Sequence, residues 1–407
     1  MPRGIFSKIK EKTDTMSIYL PYESVYYERL ADFYRLAKYG ALVVLVIFVV
    51  LTTIICRKDL RAENFRYLFK YIDVDPSSTS ANYKDIYYSA GSTSYFASYK
   101  GDLVLVGDGK LTLYNISGKN IMSGELGTDE AVCDADGKYL LSYNPGENTV
   151  SLFNSFSKLY SITYDYPVTS ASAGEDGSFA VITRDDNYRS AVYVYNSTFK
   201  RVYSLRSNEK HAASAAVSPN GKYAAVLSYF PSTGLYGREL VVRNISKNTV
   251  SLTVQTEGKL PIKTGFFANS TLYALYSDGI SFYSERFKEG ANVSFEDTVQ
   301  YYRVFDEYIA VLTGKTKANA FLHVYDTEGN EKFTQSFPFS VIDIHIIDDK
   351  IYLLAPNAVY LCGGKDMNVA YFDGRVQNMF VFDDGNVMLC FADRTKMIYG
   401  SEFINYK

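Results

Sequence analysis

The sequence predicts an all-β protein, an eight-bladed β-propeller preceded by a single transmembrane helix, with seven blades as the alternative. Three observations predict the propeller. The first is a repeated turn-then-strand unit. SPNGKYAAV (Ser218 to Val226) sets Pro219, Asn220 and Gly221 between the small-residue strand Ala212 to Val217 and a second apolar strand. DADGKYLLSY, GEDGSFAVIT and FDDGNVMLCF share that grammar. Weaker copies bring the turn centres to Gly101, Gly137, Gly177, Gly221, Ser270, Glu307, Asp349 and Gly385, at steps of 36 to 49 residues. The second is the content of each repeat. In the third repeat, strands are expected at Thr169 to Ala173, Phe179 to Thr183, Ala191 to Tyr195 and Arg201 to Leu205. Four strands per period of about 40 residues describe a propeller blade. The third observation lies at the ends. The eighth repeat has room for three strands, Val376 to Phe382, Val387 to Phe391 and Lys396 to Tyr399, while DIYYSA (Asp85 to Ala90) is an extra apolar piece ahead of the first. If that piece completes the last blade, the ring closes without a raw sheet edge.

With 47% hydrophobic residues the chain can bury a large core, and a net charge of -3 argues against a nucleic-acid partner, which normally meets a clustered basic surface. The 38 Tyr and 26 Phe suit pleated strands, but there is no Trp. Cys56, Cys133, Cys362 and Cys390 form no CxxC pair and lie at no zinc spacing with His, so no metal and no other cofactor is expected. Buried free thiols are the expected state of these cysteines; a Cys362–Cys390 disulfide stays open as an alternative in an exported domain.

Residues 1–38 read as a basic tail with Arg3, Lys8, Lys10 and Lys12 near its start. Within it, Tyr26, Leu30, Phe33 and Ala37 share one face of a short amphipathic helix, which either lies on a membrane surface or leads into the next segment. Residues 39–56, YGALVVLVIFVVLTTIIC, are uncharged. As a helix they cover roughly 27 Å, close to the thickness of a hydrocarbon core, and are expected to cross the membrane once. No small-x-small site follows, so an uncleaved anchor is expected. Local Lys/Arg counts slightly favour the C-terminal side inside. A single anchor ahead of one large domain is nonetheless more often an export arrangement, and the propeller is expected outside the cell membrane. Residues 57–82 read as an amphipathic stalk and polar linker, and 83–407 as the propeller.

SPNGKYAAV and its copies resemble the repeat core of WD40-like, TolB-type and quinoprotein-like propellers across residues 85–404, a likeness of fold with loose motifs. The layout of basic tail, one span, NFRYLFKYIDVD (Asn64 to Asp75) and propeller also resembles an uncharacterised family of membrane-anchored propellers from Gram-positive bacteria. That second resemblance implies no activity. The first implies no site residue here, because the Trp-docking motifs of quinone-dependent dehydrogenases and the WD dipeptide both require a Trp.

Candidate chemistry is sparse. Of His211, His323 and His345, the last has a carboxylate, Asp343, two residues before it on an inner strand, where both face one side. Structural packing is the more economical role for that pair. There is no G-x-S-x-G elbow, P-loop or GxGxxG fingerprint. Turn carboxylates such as Asp185, Asp186, Asp383 and Asp384 are expected to cap backbone groups. Second-to-third-strand loops gather at one mouth of a propeller, and three are long here. The fourth repeat inserts YFPSTGLYGR with Tyr229, Phe230, Tyr236 and Arg238, the third carries Arg184 and Arg189, and the sixth runs Gly314 to Asn319 with Lys315 and Lys317. Aromatics and arginines beside a concavity suit contacts with a protein or glycan. The expected function is therefore a non-catalytic binding or scaffolding module at the cell envelope. The alternatives are an envelope carbohydrate-active enzyme using carboxylates at the channel mouth, and a cytoplasm-facing membrane scaffold.

Overall fold

The computed structural model describes residues 23–55 and 83–406, except 90–92, 129, 137–138, 156, 317–318 and 364–365. The tail before Glu23, the stalk after Ile55 with Cys56, and the turn centre Gly137 fall outside the described residues. The chain divides into two units, Met1–Asp73 and Val74–Lys407.

In the first unit one uninterrupted α-helix, Glu23–Ile55, runs for 33 residues. The amphipathic segment is thus a helical lead into the apolar segment. No proline breaks the path, and a Cβ at Gly40 would meet nothing. Arg29–Leu51 is long and apolar enough to cross a membrane, and none of it is buried. Such a segment is compatible with a single-pass anchor or a signal sequence.

The second unit holds eight antiparallel sheets, six with four strands, one with five and one with three. This is an eight-bladed propeller. Blades one to eight span 93–125, 132–163, 170–207, 211–258, 261–294, 299–336, 343–371 and 378–398. The first strands of neighbouring blades touch one another, so they form the inner wall. The second strands are apolar at nearly every position because both of their faces are covered. Phe179–Asp185 sends Val181 into the core shared with blade two, and Ala180 and Ile182 into the core shared with blade four. Eight such apolar clusters separate the eight blades, one at each interface. The described cysteines, Cys133, Cys362 and Cys390, are buried free thiols within them.

The recurring turn has one chemistry. Asp176, Asn220, Asn269 and Asp384 each accept, at 2.9–3.0 Å, the backbone N–H two residues on. The residue between takes a positive φ: 84° at Gly177, 64° at Gly221, 66° at Ser270 and 79° at Gly385.

The ring closes through the chain's own N-terminal segment. The N–H of Thr395 donates to the Ile86 carbonyl at 2.9 Å and that of Tyr88 to the Asp393 carbonyl at 3.0 Å, so residues 86–88 lie beside the third strand of blade eight. Near the C-terminus, Ile404–Asn405 adds a fifth strand to blade seven.

Candidate functional site

Second-to-third-strand turns and blade-to-blade links share one rim, as the Ser277 N–H to Leu260 carbonyl and Gly314 N–H to Thr298 carbonyl bonds show. On that rim blades three and four stand out. In blade three, Phe179–Asp185 turns through Asp186 and Asn187 into Tyr188–Tyr195, with a bulge at Arg184. The bulge turns Arg184 over the Tyr166 ring, 5.6 Å from its centroid. Asp185 accepts from the Tyr193 hydroxyl at 2.7 Å and pairs with Arg206 Nε at 2.5 Å. The bonds from Tyr193 and from the Asp186 N–H hold the Asp185 carboxyl below the usual range. Arg189 is exposed, with no ion-pair partner among the described residues.

The expected insertion in blade four is an extension of three strands, Tyr223–Pro231, Tyr236–Asn244 and Thr249–Gly258, around a four-residue tip. The pairs Tyr229↔Arg238, Phe230↔Gly237 and Pro231↔Tyr236 continue the ladder, so the contact residues stand on a rigid tongue. Tyr229 stacks on His211 at 5.4 Å and meets Tyr236 edge-on at 5.8 Å. Phe230, on the other face, covers the space a side chain at Gly237 would need, and Lys210 Nζ lies 5.7 Å above its ring. Lys210 also pairs with the buried Glu239 at 2.7 Å. Arg238 is spent on the protein itself. It bonds Asp278 Oδ1 at 2.8 Å, Thr256 Oγ1 at 3.3 Å and the Glu257 carbonyl at 3.1 Å, stacks 4.1 Å over Tyr276, and keeps only 12% of its side chain exposed. It therefore ties blade four to blade five. Of the six expected contact residues, Arg184, Arg189 and Tyr236 are exposed, Tyr229, Phe230 and Arg238 less so. In the sixth repeat, Lys317 lies outside the described residues.

On the inner wall, Asp343 and His345 do share a side, in company the sequence did not reveal. Asp343 Oδ1 accepts from the Tyr301 hydroxyl at 2.7 Å, Arg303 Nη1 at 2.6 Å and the Ile344 N–H at 2.8 Å. Burial opposes the Asp343 charge, but Arg303 beside it holds the carboxyl below its ordinary value. Burial and the same arginine push the His345 imidazole down to about 4. Among the described residues no group of three His, Cys, Asp or Glu side chains is placed to hold a metal. At the opposite mouth, Asp134, Glu175, Lys263 and Asp306 line a cavity of about 230 Å³. Burial first, then Asp306 and Asp176, raise the Glu175 carboxyl.

A family model described as a family of unknown function, DUF5711, matches residues 76–399. The chain belongs to that family. The match covers all eight blades and stops before the added strand Ile404–Asn405. No curated protein matches the chain. Among solved structures it is similar to BamB from Moraxella catarrhalis (8% identity, TM-score 0.50, covering 78% of this chain and 97% of that one). It is also similar to Saccharomyces cerevisiae Sqt1 (9%, 0.56, 77% and 97%) and to the C-terminal WD40 domain of Sif2 (11%, 0.51, 77% and 98%). At such identities the likeness shows a WD40-like, BamB-like propeller fold alone.

Proposed function

We propose that this DUF5711 protein is a membrane-tethered, non-catalytic binding module, its propeller on the outer side of the cell membrane, holding a protein or cell-wall glycan at the rim of blades three and four. The observation that carries the proposal is the rigid tongue of blade four. It presents Tyr236 with Leu235 at its tip, on the same rim as the exposed Arg189 of the neighbouring blade. Strand-borne aromatics cost little ordering entropy on contact, which is what a docking surface needs. The basic tail and single apolar helix support the tether, in a layout that resembles the membrane-anchored propellers of Gram-positive bacteria.

A photocrosslinking residue placed at 189 or 236 in the full chain in cells tests the site. Both positions should capture one common partner, and Lys222, on the opposite rim, should not. Capture from Lys222 as efficient as from the rim would remove the site. Protease treatment of wall-free, sealed cells tests the side. Cleavage beyond residue 57 before the membrane is opened places the propeller outside, and protection sends the search to cytoplasmic partners. One observation favours a second, enzymatic reading. Glu175, with its raised carboxyl, faces Asp306 across the channel mouth, an arrangement suited to acid-base work on a carbohydrate. Turnover of cell-wall fragments lost in E175Q would support that reading over the first.

A further inference from the structure

The charge of the chain is unevenly spread. From Arg184 to Lys247 there are ten Lys or Arg against four Asp or Glu. Residues 83–183 hold six against twelve, and 248–407 fourteen against twenty. Of the eight blades only three and four carry more Lys and Arg than Asp and Glu, so a protein of net charge -3 concentrates its net positive charge on the propeller there.

Within that sector an open groove of about 600 Å³ runs along the outer strand of blade three, Arg201–Ser207, and is completed by Arg243 and Asn248 of blade four. No carboxylate lines it. Its arginines are held in place by aromatic rings. Arg201 lies 5.1 Å over Tyr193, Arg206 5.8 Å over Tyr188 and Arg243 5.1 Å over Tyr203. Arg206 keeps 42% of its side chain exposed despite its bond to Asp185, and Arg243 Nε is buried without a hydrogen-bond partner. The strand itself is paired on one side only, leaving alternate N–H and C=O groups free along its edge.

The same molecule shows what such an edge accepts. On blade seven, Ile404–Asn405 pairs with the outer strand through Val369↔Ile404 and Asn368↔Asn405. Among the outer strands, RVYSLRS of blade three carries two cations and no carboxylate, whereas those of blades four, five and six each contain a glutamate. Charge thus singles out this edge for an anionic visitor.

We propose that the outer edge of blade three is a docking groove for an acidic, extended peptide segment of a partner protein, which adds to the blade as a fifth strand. Backbone bonds to Arg201–Ser207 supply affinity, and Asp or Glu side chains on the added strand meet Arg201 and Arg206 on one side and Arg243 on the other. The inference goes beyond the rim site and stands whether or not that site is correct.

The test uses the full chain in detergent and a fluorescent decapeptide of alternating Glu and Val. Three competitors are compared with it: the Lys-Val analogue, the Glu-Val peptide N-methylated at alternate residues, and inorganic polyphosphate. The Glu-Val peptide should bind with an affinity that falls as salt is raised, and should slow amide exchange at Arg201–Ser207. R201E and R243E should each weaken it about tenfold, the size of effect one close charge pair carries. The Lys-Val and N-methylated peptides should fail to compete. Equal binding of the N-methylated peptide, or protection elsewhere than on Arg201–Ser207, would overturn strand addition. Polyphosphate displacing the probe as well as unlabelled Glu-Val would make the occupant a phosphate polymer and overturn the peptide. Unchanged binding in both arginine variants would overturn the groove.

Discussion

Two glycines of the repeated turn separate backbone strain from packing. Gly101 has a φ of 77° with nothing within 4 Å of a built Cβ, while Gly177 has a φ of 84° and a Cβ there would fall 2.7 Å from Tyr139 Cε2. Holding alanine at positive φ costs about 1–2 kcal/mol, and the stiffer unfolded chain returns about 0.4–1 kcal/mol of it. Gly101→Ala should therefore destabilise by about 1 kcal/mol. Gly177→Ala carries the same backbone cost and must also displace a ring that is 5% exposed and packed between blades two and three. Overpacking of that kind adds about 1–3 kcal/mol, for a total of about 2–4 kcal/mol. Urea unfolding of the full chain in detergent, followed by far-ultraviolet circular dichroism, measures both midpoints, compared at equal slopes. If the two variants shift the midpoint equally, the Tyr139 contact contributes nothing and the packing half of the reasoning is wrong.

Three further outcomes are expected. Arg238→Met should lower stability by about 2–3 kcal/mol, because it removes charged hydrogen bonds and leaves Asp278 without its partner; the same midpoint assay checks it, and a neutral result would return Arg238 to the pool of contact residues. His345 titrates near 4 in the folded chain against about 6.5 in the unfolded one, so the unfolded state binds the extra proton first. The stability His345 contributes as a neutral ring is present above about pH 6.5 and drains away as pH falls towards 4; His345→Asn should flatten unfolding midpoints across that window. Asp343 is depressed too, and its share is lost only as pH falls further, through its own lowered value. Finally, Tyr236→Ala with Arg189→Ala should leave melting within about 1 kcal/mol of the parent, since both side chains are exposed and only the edge-on contact of Tyr236 with Tyr229 is lost, while abolishing capture of the rim partner by a photocrosslinking residue placed at 235.

The blades were legible in the sequence because their chemistry is local. An Asx side chain accepting the N–H two residues on needs only its own tetrapeptide, and the uninterrupted apolar second strands reflect two covered faces. The closing strand was legible for a related reason, since an unpaired apolar piece at one end and a missing strand at the other leave one arrangement without a bare edge. The blade-four tongue was misread as a loop because Pro231, Gly234 and Gly237 look like turn residues. Gly237 is instead a strand residue that makes room for Phe230. The signal for it was the ten-residue outer strand TVSLTVQTEG, too long for an ordinary blade. Arg238 and Asp278 lie on different blades, so their bond has no local signature. Tyr301 and Arg303 could have been found from the period. They precede Asp343 and His345 by 42 residues, the same step that separates the turn centres Glu307 and Asp349.

The closure permits a sharper test of how the ring is held. Ile86 is 3% exposed and belongs to the apolar cluster between blades eight and one, with Phe96, Leu103, Phe380 and Met388. Neighbouring Tyr87, in the same closing segment, is 69% exposed. Ile86→Ala removes buried carbon and leaves a cavity, a loss of about 2–5 kcal/mol, whereas Tyr87→Ala should cost under about 0.5 kcal/mol. Because each interface has its own cluster, the Ile86 defect should be spent first where it arises. Amide exchange should rise in Asn378–Val381 and Val387–Cys390 and in Thr93–Tyr99 and Asp102–Gly107, while the second strands of blades three to six stay protected. Exchange rising uniformly around the ring would mean that the eight interfaces open as one cooperative unit, and that the closing strand is no weaker a seam than the rest.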